Sequence, residues 1–178
     1  MSGVTRSDVA RLVLRLGIGG VMVAHGSQKL FGWFGGGGLE GTSAFFESTG
    51  IKPGKPSALL AGVTETGGGV LLALGLATPS TAAAVASTMA VAVGTNAQRG
   101  FFAQQGGYEY PAVLGLSAAA LGIAGAGKLS LDQLTGHKLA GRTLAIISIM
   151  GSASSTFAVL RRRHVELAPV VVPGQPGS

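Results

Sequence analysis

Glu65 stands inside an apolar run, residues 59–77 (LLAGVTETGGGVLLALGLA), that is long enough to cross a bilayer. A membrane span needs about 20 predominantly apolar residues. An ionisable group near its middle costs at least about 2.5 kcal/mol on insertion scales. Such a group faces a bundle interior, a water-filled pocket or a partner charge. Two chemistries suit it. Protonated, the carboxyl can hydrogen-bond a carbonyl of an apolar ligand or carry a proton released from one. Ionised, it pairs with a buried cation and clamps the first helix to the second. Arg15 is the expected partner, with His25 and Lys29 as the other choices.

The segment HGSQKLFGWF, residues 25–34, sets His25 and Lys29 one turn apart and follows them with Trp33 and Phe34. These groups can anchor a quinone head group or another polar substrate at the membrane edge, with the aromatic rings as walls. The plainer reading is a helix end whose cations serve the C-terminal dipole, with aromatics in the interfacial belt. Arg99, Tyr108, Glu109 and Tyr110 form a second group that can close the same pocket or dock a soluble partner. Their plainer reading is a proline-initiated helix with belt tyrosines. Two spans separate this loop from Lys29, so helix pairing puts both groups, and Asn96, on one side of the membrane. The expected ligand-binding set is therefore His25, Lys29, Trp33, Glu65, Asn96, Tyr108, Glu109 and Tyr110.

Composition narrows the chemistry further. The chain has 178 residues, 11% of them charged, and a mean hydropathy of +0.49. Soluble domains carry roughly 25% charged residues, so this chain is too poor in charge to cover a water-facing surface. Its 31 glycines let membrane helices approach closely. The net charge of +6 is spread between apolar blocks without interleaved aromatics or a reader motif, which argues for topology and anionic lipid rather than nucleic acid. Cysteine is absent and histidine is limited to His25, His137 and His164. Disulfides, thiolate catalysis, cysteine-ligated clusters and covalent haem attachment are excluded, and no metal site is expected. Neither a nucleophile–base arrangement nor a phosphate-binding glycine motif is present; the run at residues 35–38 follows aromatics rather than a strand.

The elements that must position these residues are all helical. A first span runs from residue 8 to His25 or a turn beyond, with Ser7 or Asp8 as its cap. At 100° per residue, Arg11, Arg15, Met22, His25 and Lys29 share one stripe of it. A long connection, residues 26–56, contains the glycine run and a short amphipathic helix at 42–50. Spans at 57–77 and 81–97 are joined by a link so short that they are antiparallel neighbours, and Pro79 marks the start of the second. Gly62, Thr66 and Gly69 have small-residue spacing for close contact, while residues 67–69 are expected to weaken the helix beside Glu65. A fourth span covers 111–126, and Ser130 caps a short segment after it. A fifth, at 143–160, is long enough to span, with a packed interfacial helix as its alternative. Basic residues are balanced between the two ends, so they leave orientation undecided. The expected organisation is a four-helix membrane domain at 1–132, a loop and fifth helix at 133–164, and a Pro/Gly-rich tail at 165–178 with the composition of a disordered segment.

The ordered set RLVLRLGIGGVMVAHGSQKLFGWFGG (11–36), TSAFFESTGI (42–51), AGVTETGGGVLLALGLATP (61–79), MAVAV with GFF (89–102), GGYEYP (106–111) and GAGKLSLD (125–132) resembles the DoxX family. Asn96 departs from it, standing near where many relatives carry His. The resemblance implies a four-helix bundle of the bacterial cytoplasmic membrane. Some members are associated with thiosulfate:quinone oxidoreductases, others with membrane-linked thiol and oxidative-stress defence. It thus implies a multi-pass subunit or anchor of a redox complex, with a quinone as non-covalent ligand and other membrane subunits as partners. A ligand-free assembly subunit and a proton-coupled carrier using Glu65 are the alternatives.

Overall fold

The computed structural model describes residues 3–167, and every regular element among them is helical. In chain order these are α1 (Arg6–Phe31), α2 (Gly38–Ser48), α3 (Gly54–Leu74), α4 (Thr78–Asn96), α5 (Glu109–Ala124), α6 (Leu131–Leu134) and α7 (Arg142–Glu166). By length and composition, α1, α3 and α7 can cross a membrane. The segments expected as third and fourth spans are α4 and α5; α4 carries several Ser and Thr residues and α5 has only 16 residues, so neither matches the other three. The fifth block falls wholly within the 25-residue α7. Residues 168–178, most of the expected tail, lie outside the described residues.

Local chemistry sets the ends. Thr5, not Ser7 or Asp8, caps α1: its hydroxyl accepts from the Asp8 N–H while the Asp8 carboxylate accepts from the Thr5 N–H, a reciprocal box. α1 then runs beyond His25 to Phe31, where Gly32 turns the chain with φ 73°. The glycine run does not exclude helix throughout, since Gly38 opens α2.

α1 and α3 make the most intimate pair, and glycine creates it. A Cβ on Gly19 would lie 2.5 Å from the Gly69 carbonyl oxygen, and one on Gly69 would lie 2.6 Å from the Gly19 oxygen and 2.8 Å from the Val23 nitrogen. One turn-pair further along, Gly26 abuts Gly62 and Thr66 with equally little room. The two backbones therefore run antiparallel in direct contact. α3 continues unbroken through residues 67–69; Gly69 is the contact surface and Gly68 faces Val85. The remaining core is small: Met22, Val85, Met89, Leu114 and Ala118 in one cluster, Leu72, Ala82 and Leu121 in another. Large apolar side chains point outward instead, among them Val13, Leu16, Val63, Leu116, Ile123 and Ile147. Exposed apolar surface on this scale suits lipid rather than water.

At the end holding the N-terminus, the loop after α5 is tied to three elements. The Asp8 carboxylate accepts from the Lys128 N–H at 2.9 Å, and Arg15 Nη2 donates to the Leu129 carbonyl at 2.5 Å. Asp132, fully buried, accepts from the N–H groups of Ala77 and Thr78 at 2.7 and 2.9 Å, while its own N–H donates to the Gly75 carbonyl. Asp132 thus caps α4 from a distant part of the chain. Charge-assisted bonds of this kind are stronger than neutral ones, and losing them leaves buried donors unsatisfied. Asp132→Ala is expected to lower unfolding stability by about 1–3 kcal/mol, with Asp132→Asn in between because one acceptor survives. Denaturant titration checks the order; equal stability of all three proteins would rule out the cap.

α7 packs on α4 and buries no residue fully. Ser87 and Thr156 hydroxyls lie 2.7 Å apart, and Ser87 Oγ donates to the Ser152 carbonyl at 3.1 Å. Near the C-terminal end of α7, Arg163 Nε donates to the Thr49 carbonyl at 2.9 Å and Lys52 pairs with Glu166 at 2.8 Å. The hydrogen bond to Glu166, and then its charge, hold the Lys52 ammonium pKa above the usual lysine range. That contribution is present throughout the neutral range and is lost only as pH rises through the elevated value.

Candidate functional site

A cavity of about 520 Å³ lies at the bundle end opposite the Asp132 cluster. α1 contributes His25 and Lys29, α3 contributes Ser57, Leu60, Ala61 and Glu65, and α4 backs it with residues 87–96. α5 adds Tyr110 and Leu114, α2 adds Phe45 and Phe46, and α7 adds Ser155 and Val159.

Glu65 is 3% exposed and its Oε2 lies 2.5 Å from Lys29 Nζ. Lys29 is therefore the ion-pair partner, and the expected Arg15–Glu65 pair does not form. Arg15 and Lys29 lie on the same stripe of α1 but 14 residues apart, about 21 Å along the axis. Arg15 is instead fully buried at the other end, against Gly75 and the Leu129 carbonyl, with Asp132 as the opposing charge. Its guanidinium neither reaches the surface nor enters the cavity.

His25 packs against Tyr110, with ring centroids 5.5 Å apart and planes inclined by 56°. Asn96, at the last turn of α4, completes the polar rim. Of the eight expected ligand-binding residues, His25, Lys29, Glu65, Asn96 and Tyr110 line this one cavity. Trp33, Tyr108 and Glu109 do not. Trp33 is exposed and packs on Phe31 and Phe34, because Gly32 turns the chain away from the bundle. Tyr108 sits edge-on to Phe101, and the Glu109 carboxylate accepts from the Ala103 N–H, so both stabilise their own loop.

Several lining residues escaped the sequence reading. Ser87, Thr88 and Thr95 lie on α4 without any local mark of function, and Ser155 and Val159 come from a helix not expected near the site. Phe45 and Phe46 were legible as an amphipathic face, but not their place as a roof. Arg99 stacks over Phe45, its guanidinium carbon 5.8 Å from the ring centroid. Among the described residues no group of three or more His, Cys, Asp or Glu converges as a metal site would.

The arrangement offers largely apolar walls, a buried acid paired with a partly exposed cation, an imidazole packed against a phenol, and an amide at the rim. This is the build of a pocket for a largely apolar ligand with a polar head. No curated protein and no solved structure shows significant similarity to the chain. The DoxX family model matches residues 10–105, more than half of the chain, from α1 through the turn after α4. With that match over the helices that build most of the cavity, the chain belongs to the DoxX family, a family of membrane proteins.

Proposed function

We propose that the cavity receives the head group of a quinone, and that the protein serves as a membrane subunit or anchor of a redox complex in the bacterial cytoplasmic membrane. On this reading the chain crosses the bilayer several times. The observation that carries it is the ion pair of Lys29 with the buried Glu65 in a largely apolar cavity that His25 and Tyr110 also line. A bound quinone supplies two-electron chemistry coupled to protons. The chain's own residues would orient and protonate. Tyr110 and Lys29 can donate to carbonyl oxygens, His25 can donate or accept, and Glu65 can hold a proton at Oε1 or Oε2 while Lys29 balances its charge. Leu60, Val91, Ala92 and Leu114 give the ring an apolar bed. With no cysteine and no pair of facing histidines in the sequence, electrons would pass to or from a partner's cofactor.

Glu65→Gln and His25→Ala are each expected to reduce co-purified quinone per protein by about tenfold or more, the equivalent of one good polar contact. Extraction and chromatographic quantitation measure it, with gentle-detergent pull-down showing that partners stay attached. Wild-type quinone content in both variants would end the proposal.

A second reading has its own support. α7 lies beyond the matched residues, exposes an apolar face and carries Arg161, Arg162 and Arg163 near its C-terminal end, as a scaffold element would. Deleting residues 161–178 is then expected to detach partners, while Glu65→Gln leaves the complex unchanged.

A further inference from the structure

The geometry points to a lateral entrance: the cavity is loaded from the hydrocarbon phase through the cleft between α3 and α7, and its occupant is an amphiphile whose tail remains in lipid. This rests on the quinone reading for the identity of the head group and adds the route and the tail.

The walls of the cavity are unequal. α4 backs it, His25 and Lys29 of α1 make its polar end with Glu65 of α3, and Tyr110 of α5 packs on His25 while itself remaining exposed. Towards the loops, Phe45 and Phe46 of α2 form a roof that Arg99 covers by stacking on Phe45. Two helices remain, α3 and α7. Both pack against α4, yet they barely touch each other. Leu60 of α3 and the two residues that α7 presents to the cavity lie at its open edge: Leu60 is 66% exposed, Ser155 is exposed and Val159 half-buried. A polar ligand would meet no hydrogen-bonding group on α3 along this edge other than Ser57. A hydrocarbon tail would meet Leu60 on α3 and Val159 on α7.

α7 is suited to form one jamb of such an opening. Its hold on α4 is a hydroxyl cluster, Ser87 with Thr156 and the Ser152 carbonyl, and the contact of Leu160 with Gly94, while its far end is fixed by Arg163 to the Thr49 carbonyl. These contacts hold α7 at a set distance from α3 without filling the space between them.

Three measurements on the full chain in lipid nanodiscs test this. Ser155→Trp places a large side chain at the cleft, away from the polar end. It is expected to slow loading of a decyl-tailed quinone by about tenfold while altering affinity for a tailless head-group analogue by less than about twofold. Equal losses for both ligands, or no change in either, overturn the entrance. Separately, Leu60→Trp in a Trp33→Phe background leaves a single tryptophan at the cleft edge. Its fluorescence is expected to be quenched by acyl-chain-brominated lipid, with quenching relieved on adding the tailed quinone. Absence of quenching overturns the entrance even where quinone binds. Failure of wild-type protein to bind either quinone, with quenching intact, overturns the quinone reading and leaves the lipid-facing opening standing.

Discussion

Gly69→Val and Gly19→Val are expected to prevent folding outright, because each puts a branched side chain between two backbones already in contact. The atoms in the way are the Gly69 and Gly19 carbonyl oxygens and the Val23 nitrogen, which cannot rotate aside as a side chain would. α1 and α3 must move apart to admit it. Over-packing an ordinary core costs about 1–3 kcal/mol, but here the displacement runs the length of the tightest helix pair. In lipid no hydrophobic effect restores the association, since close packing itself holds the helices. Separation also draws Lys29 away from Glu65. Size-exclusion chromatography in mild detergent should show loss of the monodisperse peak. Gly67→Ala is the control: nothing lies within 4 Å of its Cβ position, and relief of the glycine penalty should stabilise the helix by up to about 1 kcal/mol. A Gly69→Val protein with wild-type yield and melting temperature would refute the packing argument.

Lys29→Met is expected to destabilise the protein by about 3–5 kcal/mol, the usual cost of leaving a buried charge without its partner. Protonation of Glu65 limits the loss at acid pH. The reverse change, Glu65→Leu, should cost less, since Lys29 is 23% exposed and its stem can carry the ammonium towards the interface. The double variant Lys29→Met/Glu65→Leu should recover most of the stability of the wild type, because an apolar pair of similar volume avoids desolvating either ion. A double-mutant cycle by denaturant titration yields the coupling directly. Additive single effects would mean that the 2.5 Å pair contributes nothing to folding. Quinone content measured on the same four proteins separates this structural role from ligand binding, since the double variant should be stable yet empty.

Much of the architecture was legible because the apolar residues come in blocks, and because Thr78-Pro79, Ser130 and the glycines at 125 and 127 punctuate them. Glu65 announced itself by its surroundings. Its partner did not. Arg15 and Lys29 occupy the same helix face, and either is a plausible cation until the register of α1 against α3 is known. That register is set by the pairing of Gly19 with Gly69 and Gly26 with Gly62, four among 31 glycines. Once it is set, geometry decides. Helical side chains lean towards their own N-termini, so in antiparallel helices Lys29 leans back and Glu65 leans to meet it. Arg15, leaning the same way, arrives at Gly75. Trp33 lies outside the cavity for a related reason: it follows the turn at Gly32, whose φ of 73° is not written in hydropathy, while Tyr108 and Glu109, at the start of α5, are held by contacts within their own loop. Ser155 and Val159 were missed because nothing local says which face of a peripheral helix meets a neighbour.

The unequal helices have a consequence for where the protein resides. α5, at 16 residues, extends about 24 Å, whereas α1, at 26, extends about 39 Å. A typical hydrocarbon layer is about 30 Å thick. On the proposed multi-pass reading, acyl chains on the flank where Val113, Leu116 and Ile123 face outward must compress to match a short greasy band, at a fraction of a kcal/mol per ångström of mismatch. Short-chain phospholipids should therefore gather along that side, and the molecule should partition into the thinner regions of a mixed membrane.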